Sequence, residues 1–224
     1  MKEIEFKFQV PVKKRKALQK AFTLLKAEPI HLAAQYFDTA DQTLAKHCIA
    51  IRRRQENDEW KQTFKAVNTA KVLSRLELEF DIAPPETTTL DLENYKDYSA
   101  IYKKLKRALG LPLPPLELLF ETKIQRFRAL HNIGSSTVEI ALDIGKTFKE
   151  QRSADIFEIE FELKQGSIED LIAFIQPWVQ KYQLSLDTHS KSDYGLLAVR
   201  QQSSFSAQYQ TPLVLNRSSS EVEA

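Results

Sequence analysis

The chain has 224 residues, 42% hydrophobic and 28% charged, which is enough apolar material for one large domain or two small ones. Its 32 basic and 30 acidic residues leave a net charge of +2, an even balance that argues against a protein that simply coats nucleic acid, where affinity comes from a basic excess. A single cysteine, Cys48, leaves no internal disulfide framework; the charged opening Met1 to Lys7 is not a secretory h-region, and no run of about 18 apolar residues marks a membrane span, so a cytoplasmic chain with neither nucleic-acid nor membrane partners is expected.

In chain order, period-2 alternation predicts a first strand over Glu3 to Val10. Pro11 then opens a helix over Val12 to Lys26, with apolar Ala17, Leu18, Ala21, Phe22 and Leu25. Further strands are predicted over Gln35 to Asp38, Cys48 to Arg54, Trp60 to Val67 and Leu73 to Ile82. After the proline pair Pro84-Pro85 comes a helix over Asn94 to Leu109, stopped by Gly110. Strands follow over Phe120 to Leu130, Thr137 to Ile144 and Ile156 to Leu163. Ser167 begins another helix, with Glu169 and Asp170 in its first turn. A short helix around Lys191 to Gln201 closes residues 1–200, and the serine-rich residues 201–224 read as a polar tail or linker. About eight strands are enough to close a sheet on itself.

The residues that alternate with the apolar ones are almost purely ionic. Glu3, Glu5 and Lys7 share one face of the first strand, against Ile4, Phe6 and Phe8. Arg52 and Arg54 follow the same rule, as do Lys61, Thr63 and Lys65, then Arg75, Glu77 and Glu79. Arg126 and Arg128 flank Phe127, Glu139 and Asp143 flank Ala141, and Glu158, Glu160 and Glu162 fill one face of the last long strand. A single strand of this kind is an ordinary solvated face. Many alike are not, and three glutamates in a row repel one another unless a cation or a cross-strand base offsets them. The expectation is therefore an α+β fold, a closed eight-stranded antiparallel β-barrel with charges inside and helices packed on its apolar outside. Buried charge is costly unless fully paired, so such an interior is held for a ligand. Carboxylates suit Mg²⁺ or Mn²⁺, and clustered Arg and Lys suit a polyanion, so the inventory describes a site for a metal-bound polyphosphate.

These residues resemble the CYTH domains, also called triphosphate tunnel metalloenzymes. The resemblance rests on Glu3-Ile4-Glu5-Phe6-Lys7, Tyr36-Phe37-Asp38-Thr39, Ile51-Arg52-Arg53-Arg54, Lys61-Gln62-Thr63-Phe64-Lys65 and Arg75-Leu76-Glu77. It continues through Glu139-Ile140-Ala141-Leu142-Asp143 with Gly145, then Glu158-Ile159-Glu160-Phe161-Glu162-Leu163, and Ser190-Lys191-Ser192. It covers residues 1 to about 200 in order and is nearest to the bacterial inorganic triphosphatase branch. It implies that Glu3, Glu5, Glu160 and Glu162 hold an activating metal. It implies that Lys7, Arg52, Arg54, Lys61, Lys65, Arg75, Arg126, Arg128 and Lys191 hold phosphate oxygens, with Lys61 alternatively at the tunnel mouth. Glu77, Glu139, Asp143 and Glu158 would orient the bases or help a second metal and the attacking water. The implied activity is hydrolysis of inorganic triphosphate to pyrophosphate and phosphate. Within the same family the alternatives are a thiamine, nucleoside or RNA 5′-triphosphatase and an adenylyl cyclase; from other classes, a polyphosphate-binding module without turnover or a structural barrel. The oligomeric state stays open.

The remaining features read as structural. His31, His47, His131 and His189 show no ligand spacing, Cys48 reads as a small strand residue, and Trp60 and Trp178 read as packing residues. Lys13 to Lys16 and the bases between Lys103 and Arg107 read as solvated helix faces. With five glycines and no Gly-x-x-x-x-Gly-Lys, there is no P-loop.

Overall fold

A computed structural model describes residues 4–67, 75–87, 89–188 and 191. The elements run β1 (Glu5–Gln9), α1 (Val12–Leu24), β2 (Glu28–Asp38), α2 (Thr43–Lys46), β3 (Ile49–Glu56), β4 (Glu59–Val67) and β5 (Arg75–Ile82). A 3-10 turn at Glu93–Tyr95 precedes α3 (Ser99–Leu109), then β6 (Glu117–Ile133), β7 (Ser136–Lys149), β8 (Arg152–Gln165), α4 (Ile168–Tyr182) and β9 (Ser185–Leu186). All eight expected strands form. Three of the four expected helices form, and the fourth lies outside the described residues apart from Lys191, as does the tail.

The strands make one antiparallel sheet in the order β5-β4-β3-β2-β6-β7-β8-β1-β9. Two expectations are corrected here. Among the described residues the sheet is open, with β5 and β9 at its edges, and it has nine strands rather than eight. The ninth is two residues long, too short to carry a periodic signal and too short to supply the ladder bonds that closure needs. The other edge, β5, carries Glu77, Glu79 and Asp81 on alternate positions, a pattern that discourages further strand pairing.

The sheet has two unlike faces. On the apolar face, Phe8, Ile140, Leu142, Ile159 and Phe161 pack under Leu18 and Phe22 of α1 and Leu171 and Ile175 of α4. Around Phe161 gather Phe8, Phe174 and Trp178 with ring centroids 5.9–6.1 Å away, so Trp178 is a packing residue as expected. Farther along the sheet, Ile51 and Phe64 pack under Ile101 and Leu105 of α3, with Leu44 of α2 and Tyr95. Helices therefore cover the apolar face, in keeping with the alternation. Helix α4 starts where expected: the Ser167 hydroxyl accepts from the Asp170 amide at 3.2 Å.

The opposite face carries the charges. Strands β6 and β7 approach closely at Gly145, where a Cβ would lie 2.1 Å from the carbonyl oxygen of Lys123, so the absence of a side chain sets this contact. Cys48 departs from its reading. It lies in an exposed turn just before β3, with φ of +54°, and is not a strand residue.

Candidate active site

Register brings the ionic positions side by side. In one row, Gln9 of β1 faces Glu158 of β8, which faces Asp143 of β7, which faces Arg126 of β6. In the next row, Lys7 faces Glu160, Glu160 faces Ala141 and Ala141 faces Arg128. In the third, Glu5 faces Glu162 and Glu162 faces Glu139.

The first two rows knit into a buried network. Asp143 and Glu158 are almost fully buried. Arg126 forks onto Asp143, with Nε to Oδ1 and Nη2 to Oδ2 both at 2.7 Å, and also bonds Glu160. This planar, two-bond pairing is the geometry in which arginine binds carboxylates best. The Lys191 ammonium sits among all three acids, 2.8 Å from Asp143, 2.5 Å from Glu158 and 2.7 Å from Glu160. Lys7 lies 3.6 Å from Glu158 and 3.6 Å from Asp187.

Burial works against the Lys191 and Arg126 cations, but the surrounding carboxylates outweigh it and hold both well above their ordinary pKa. Glu160 is likewise held below the usual carboxylate range, because Lys191 and Arg126 together outweigh its burial. Glu158 goes the other way. Its burial, reinforced by Glu160 and Asp143, exceeds the pull of Lys191 and Lys7 and pushes its pKa up.

Asp143, Glu158 and Glu160 each offer an oxygen within 4.8 Å of the others. Hard carboxylate oxygens converging on one point suit Mg²⁺ or Mn²⁺, and the position already receives the Lys191 cation. The neighbouring row adds to this. Glu5, Glu162 and Glu139 lie directly across three adjacent strands, where like charges destabilise a sheet unless a cation offsets them. Lys164 supplies one such contact, 2.9 Å from Glu162.

The far half of the same face, on β3, β4 and β5, sets Arg52, Arg54, Lys61 and Lys65 among Glu56, Glu77, Glu79 and Asp81, and is looser. Arg52 faces Thr63, which faces Glu79; Arg54 faces Lys61; Lys65 faces Glu77. Lys65 and Glu77 pair at 2.9 Å. Glu79 gathers the others, accepting from the Thr63 hydroxyl at 3.0 Å and lying 3.5 Å from Arg54 and 3.9 Å from Lys61. The Arg52 Nε reaches the Thr63 hydroxyl at 3.4 Å. Burial, with Arg52 and Arg126 nearby, outweighs Glu79 and Glu56 and holds Arg54 below its ordinary pKa. An anion placed here would relieve that strain between like charges.

Most of the residues expected in the site therefore share one face. Arg128 is on it but exposed, beside Glu28 and Ala141. Glu3 lies outside the described residues, and Arg75 is described only as the first backbone position of β5, opposite Val67. Sequence reasoning placed Glu79 on the ionic face with Glu77 but gave it no role in the site, and it left out Asp187, which follows a two-residue strand and had no periodic signal. Of the histidines, His47 contacts the Thr43 carbonyl at 2.9 Å and His131 packs on Phe174, while His189 lies outside the described residues.

A family profile for the CYTH domain matches residues 1–193. The chain belongs to the CYTH domain family. Among curated relatives, an inorganic triphosphatase of Haemophilus influenzae is 31% identical over 201 residues, 88% of this chain and 55% of that protein. The chain thus spans about half the length of the curated relative it matches. Among solved structures, a candidate adenylate cyclase from Bacillus halodurans matches with a TM-score of 0.59 at 22% identity, covering 86% of this chain and 96% of that one. A candidate adenylyl cyclase from Hippeastrum with a dominant triphosphatase activity also reaches 0.59, at 19% identity, covering 87% and 95%. These two likenesses establish the CYTH fold. Among the described residues, no helix is long and apolar enough to cross a membrane.

Proposed function

We propose that this CYTH domain hydrolyses inorganic triphosphate to pyrophosphate and phosphate with the help of a divalent cation, Mg²⁺ or Mn²⁺. The observation that carries the reading is that one sheet face holds a buried carboxylate centre on β7 and β8 and a set of bases on β3 and β4, with the Arg54 and Arg126 guanidiniums near enough to repel each other. A small triphosphate matches both halves, and the 31% identical inorganic triphosphatase favours the inorganic form over a nucleotide.

In this reading Glu160, Asp143 and Glu158, with Glu5 and Glu162 in the neighbouring row, would hold the cation, and the family resemblance adds Glu3 to them. When bound, it would neutralise charge on the phosphate oxygens and lower the cost of attack by water. Lys7, Arg52, Arg54, Lys61, Lys65, Arg75, Arg126, Arg128 and Lys191 take up phosphate oxygens. Glu77 aims Lys65 and Asp143 aims Arg126, so these carboxylates fix the bases before substrate arrives. Glu139 completes the acidic row. Transfer at phosphorus depends mostly on positioning and charge neutralisation, and these side chains provide both.

The test is phosphate release from tripolyphosphate, ATP and thiamine triphosphate, with Mg²⁺ and with a chelator, for wild type and Glu160→Gln. Fast, Mg²⁺-dependent release from tripolyphosphate that collapses in the variant is expected. Equal or faster turnover of ATP would shift the reading to a nucleotide enzyme, with cyclic nucleotide as product marking a cyclase. Binding of tripolyphosphate without turnover would leave a binding module instead.

A further inference from the structure

We propose that Asp187 is a positioning residue that holds Lys7 in place for substrate, an inference that rests on the triphosphatase reading above. Asp187 is 8% exposed and lies just past β9. It grips β1 in three ways. Its backbone N–H donates to the Lys7 carbonyl oxygen at 2.8 Å, its Oδ2 accepts from the Gln9 side-chain amide at 2.7 Å, and the same oxygen lies 3.6 Å from the Lys7 ammonium.

The Lys7 ammonium is thereby shared. Glu158 Oε2 also lies 3.6 Å from it, and the other oxygen of Glu158 lies 2.5 Å from Lys191. A continuous line runs Gln9, Asp187, Lys7, Glu158, Lys191, in which Asp187 is the carboxylate farther from Lys191. Coulomb attraction from two carboxylates at equal distance keeps Lys7 between them. Neutralising Asp187 tilts that balance toward Glu158. Lys7 then moves into the acidic centre and crowds Lys191, away from the position where it would meet a phosphate oxygen. Asp187 touches Lys7 and Gln9 and acts on substrate only through Lys7.

Asp187→Asn tests this with the smallest change of shape, since the backbone bond to Lys7 remains and the amide oxygen can still accept from Gln9. The KM for tripolyphosphate is expected to rise about tenfold, the size of one charge-assisted contact, with a smaller change in kcat. Asp187→Glu, which keeps the charge, should lie closer to wild type than Asp187→Asn. In a Lys7→Met background, Asp187→Asn should no longer change KM, because the coupled partner is gone. Asp155→Asn, the same charge change at the exposed Lys146 pair, should leave KM unaltered. An Asp187→Asn protein with wild-type KM, or one whose KM effect persists without Lys7, overturns the inference while leaving the triphosphatase reading intact. If Asp187→Asn does not fold, the Glu variant decides: a KM raised tenfold despite the retained charge overturns the inference. A wild-type chain whose melting temperature and phosphate release do not respond to tripolyphosphate overturns both.

Discussion

The two halves of the ionic face hold nearly the same kinds of side chain in opposite conditions. In the acidic half the ion pairs around Asp143 are short and enclosed: its contacts with Arg126 and Lys191 are 2.7–2.8 Å, and its side chain is 0% exposed. In the basic half, Arg54, Lys61 and Lys65 meet Glu79 and Glu77 at 2.9–3.9 Å, with side chains 20–36% exposed. Enclosed pairs are set by folding and cannot re-pair cheaply, because each charge left alone is desolvated. Partly exposed pairs cost less to open. The acidic half is thus a fixed frame, and the basic half is a set of cations whose partners an incoming polyanion can replace.

The largest effect that tests this contrast is on stability. Asp143→Ala strips a carboxylate from Arg126 and Lys191 together and leaves two buried cations short of a partner. It should cost about 3–5 kcal/mol of unfolding free energy, measured by urea denaturation. A cost under 1 kcal/mol would mean that the acidic half is as adaptable as the basic one.

Arg54→Ala is the matching change on the other side. It should cost about 1 kcal/mol or less in stability, since its partners Glu79 and Glu56 stay partly hydrated. Its KM for tripolyphosphate should nevertheless rise about tenfold, because a phosphate-holding guanidinium is lost. Large destabilisation with unchanged KM would reverse the division between frame and ligand-holding row.

Alternation made this face legible in advance, because the side-chain period of a strand is two whatever its neighbours are. Alternation alone did not show which strands are neighbours. That Glu5 lies beside Glu162, and Ala34 between Arg54 and Thr122, depends on pairings between distant segments, which period cannot report. The same limit explains the barrel. Eight alternating strands are compatible with closure, but period does not say which strands are left as edges, and here these are the two-residue β9 and the acidic β5. Arg53 shows a different gap. It points to the apolar side, stacks over Phe37 and donates to the Thr87 carbonyl at 3.0 Å, a use of charge that the pattern of its neighbours does not announce. Asp187 was illegible for the simplest reason, since a carboxylate after a two-residue strand has no periodicity to belong to.

The smallest expected effect is on pH dependence, and it separates residues within the acidic half itself. The pKa of Glu160 is lowered in the folded chain, so its contribution to stability is present above the ordinary value of 4.5 and is lost as pH falls below it. Glu158 is raised, so its contribution is present below 4.5 and is lost as pH climbs through its folded value. Stability followed by urea unfolding with a chelator present should therefore respond in opposite ways to two isosteric changes. Glu160→Gln should flatten the loss on the acid side, and Glu158→Gln should flatten the loss on the side above 4.5. Arg54→Ala, outside the enclosed network and without a proton to exchange in this range, should keep both slopes. If the two glutamine variants changed the same slope, the Lys191 and Arg126 cations would be serving Glu158 and Glu160 alike. The acidic half would then be one evenly shared cluster, and not a frame in which Glu160 takes the cations and Glu158 bears the cost of burial.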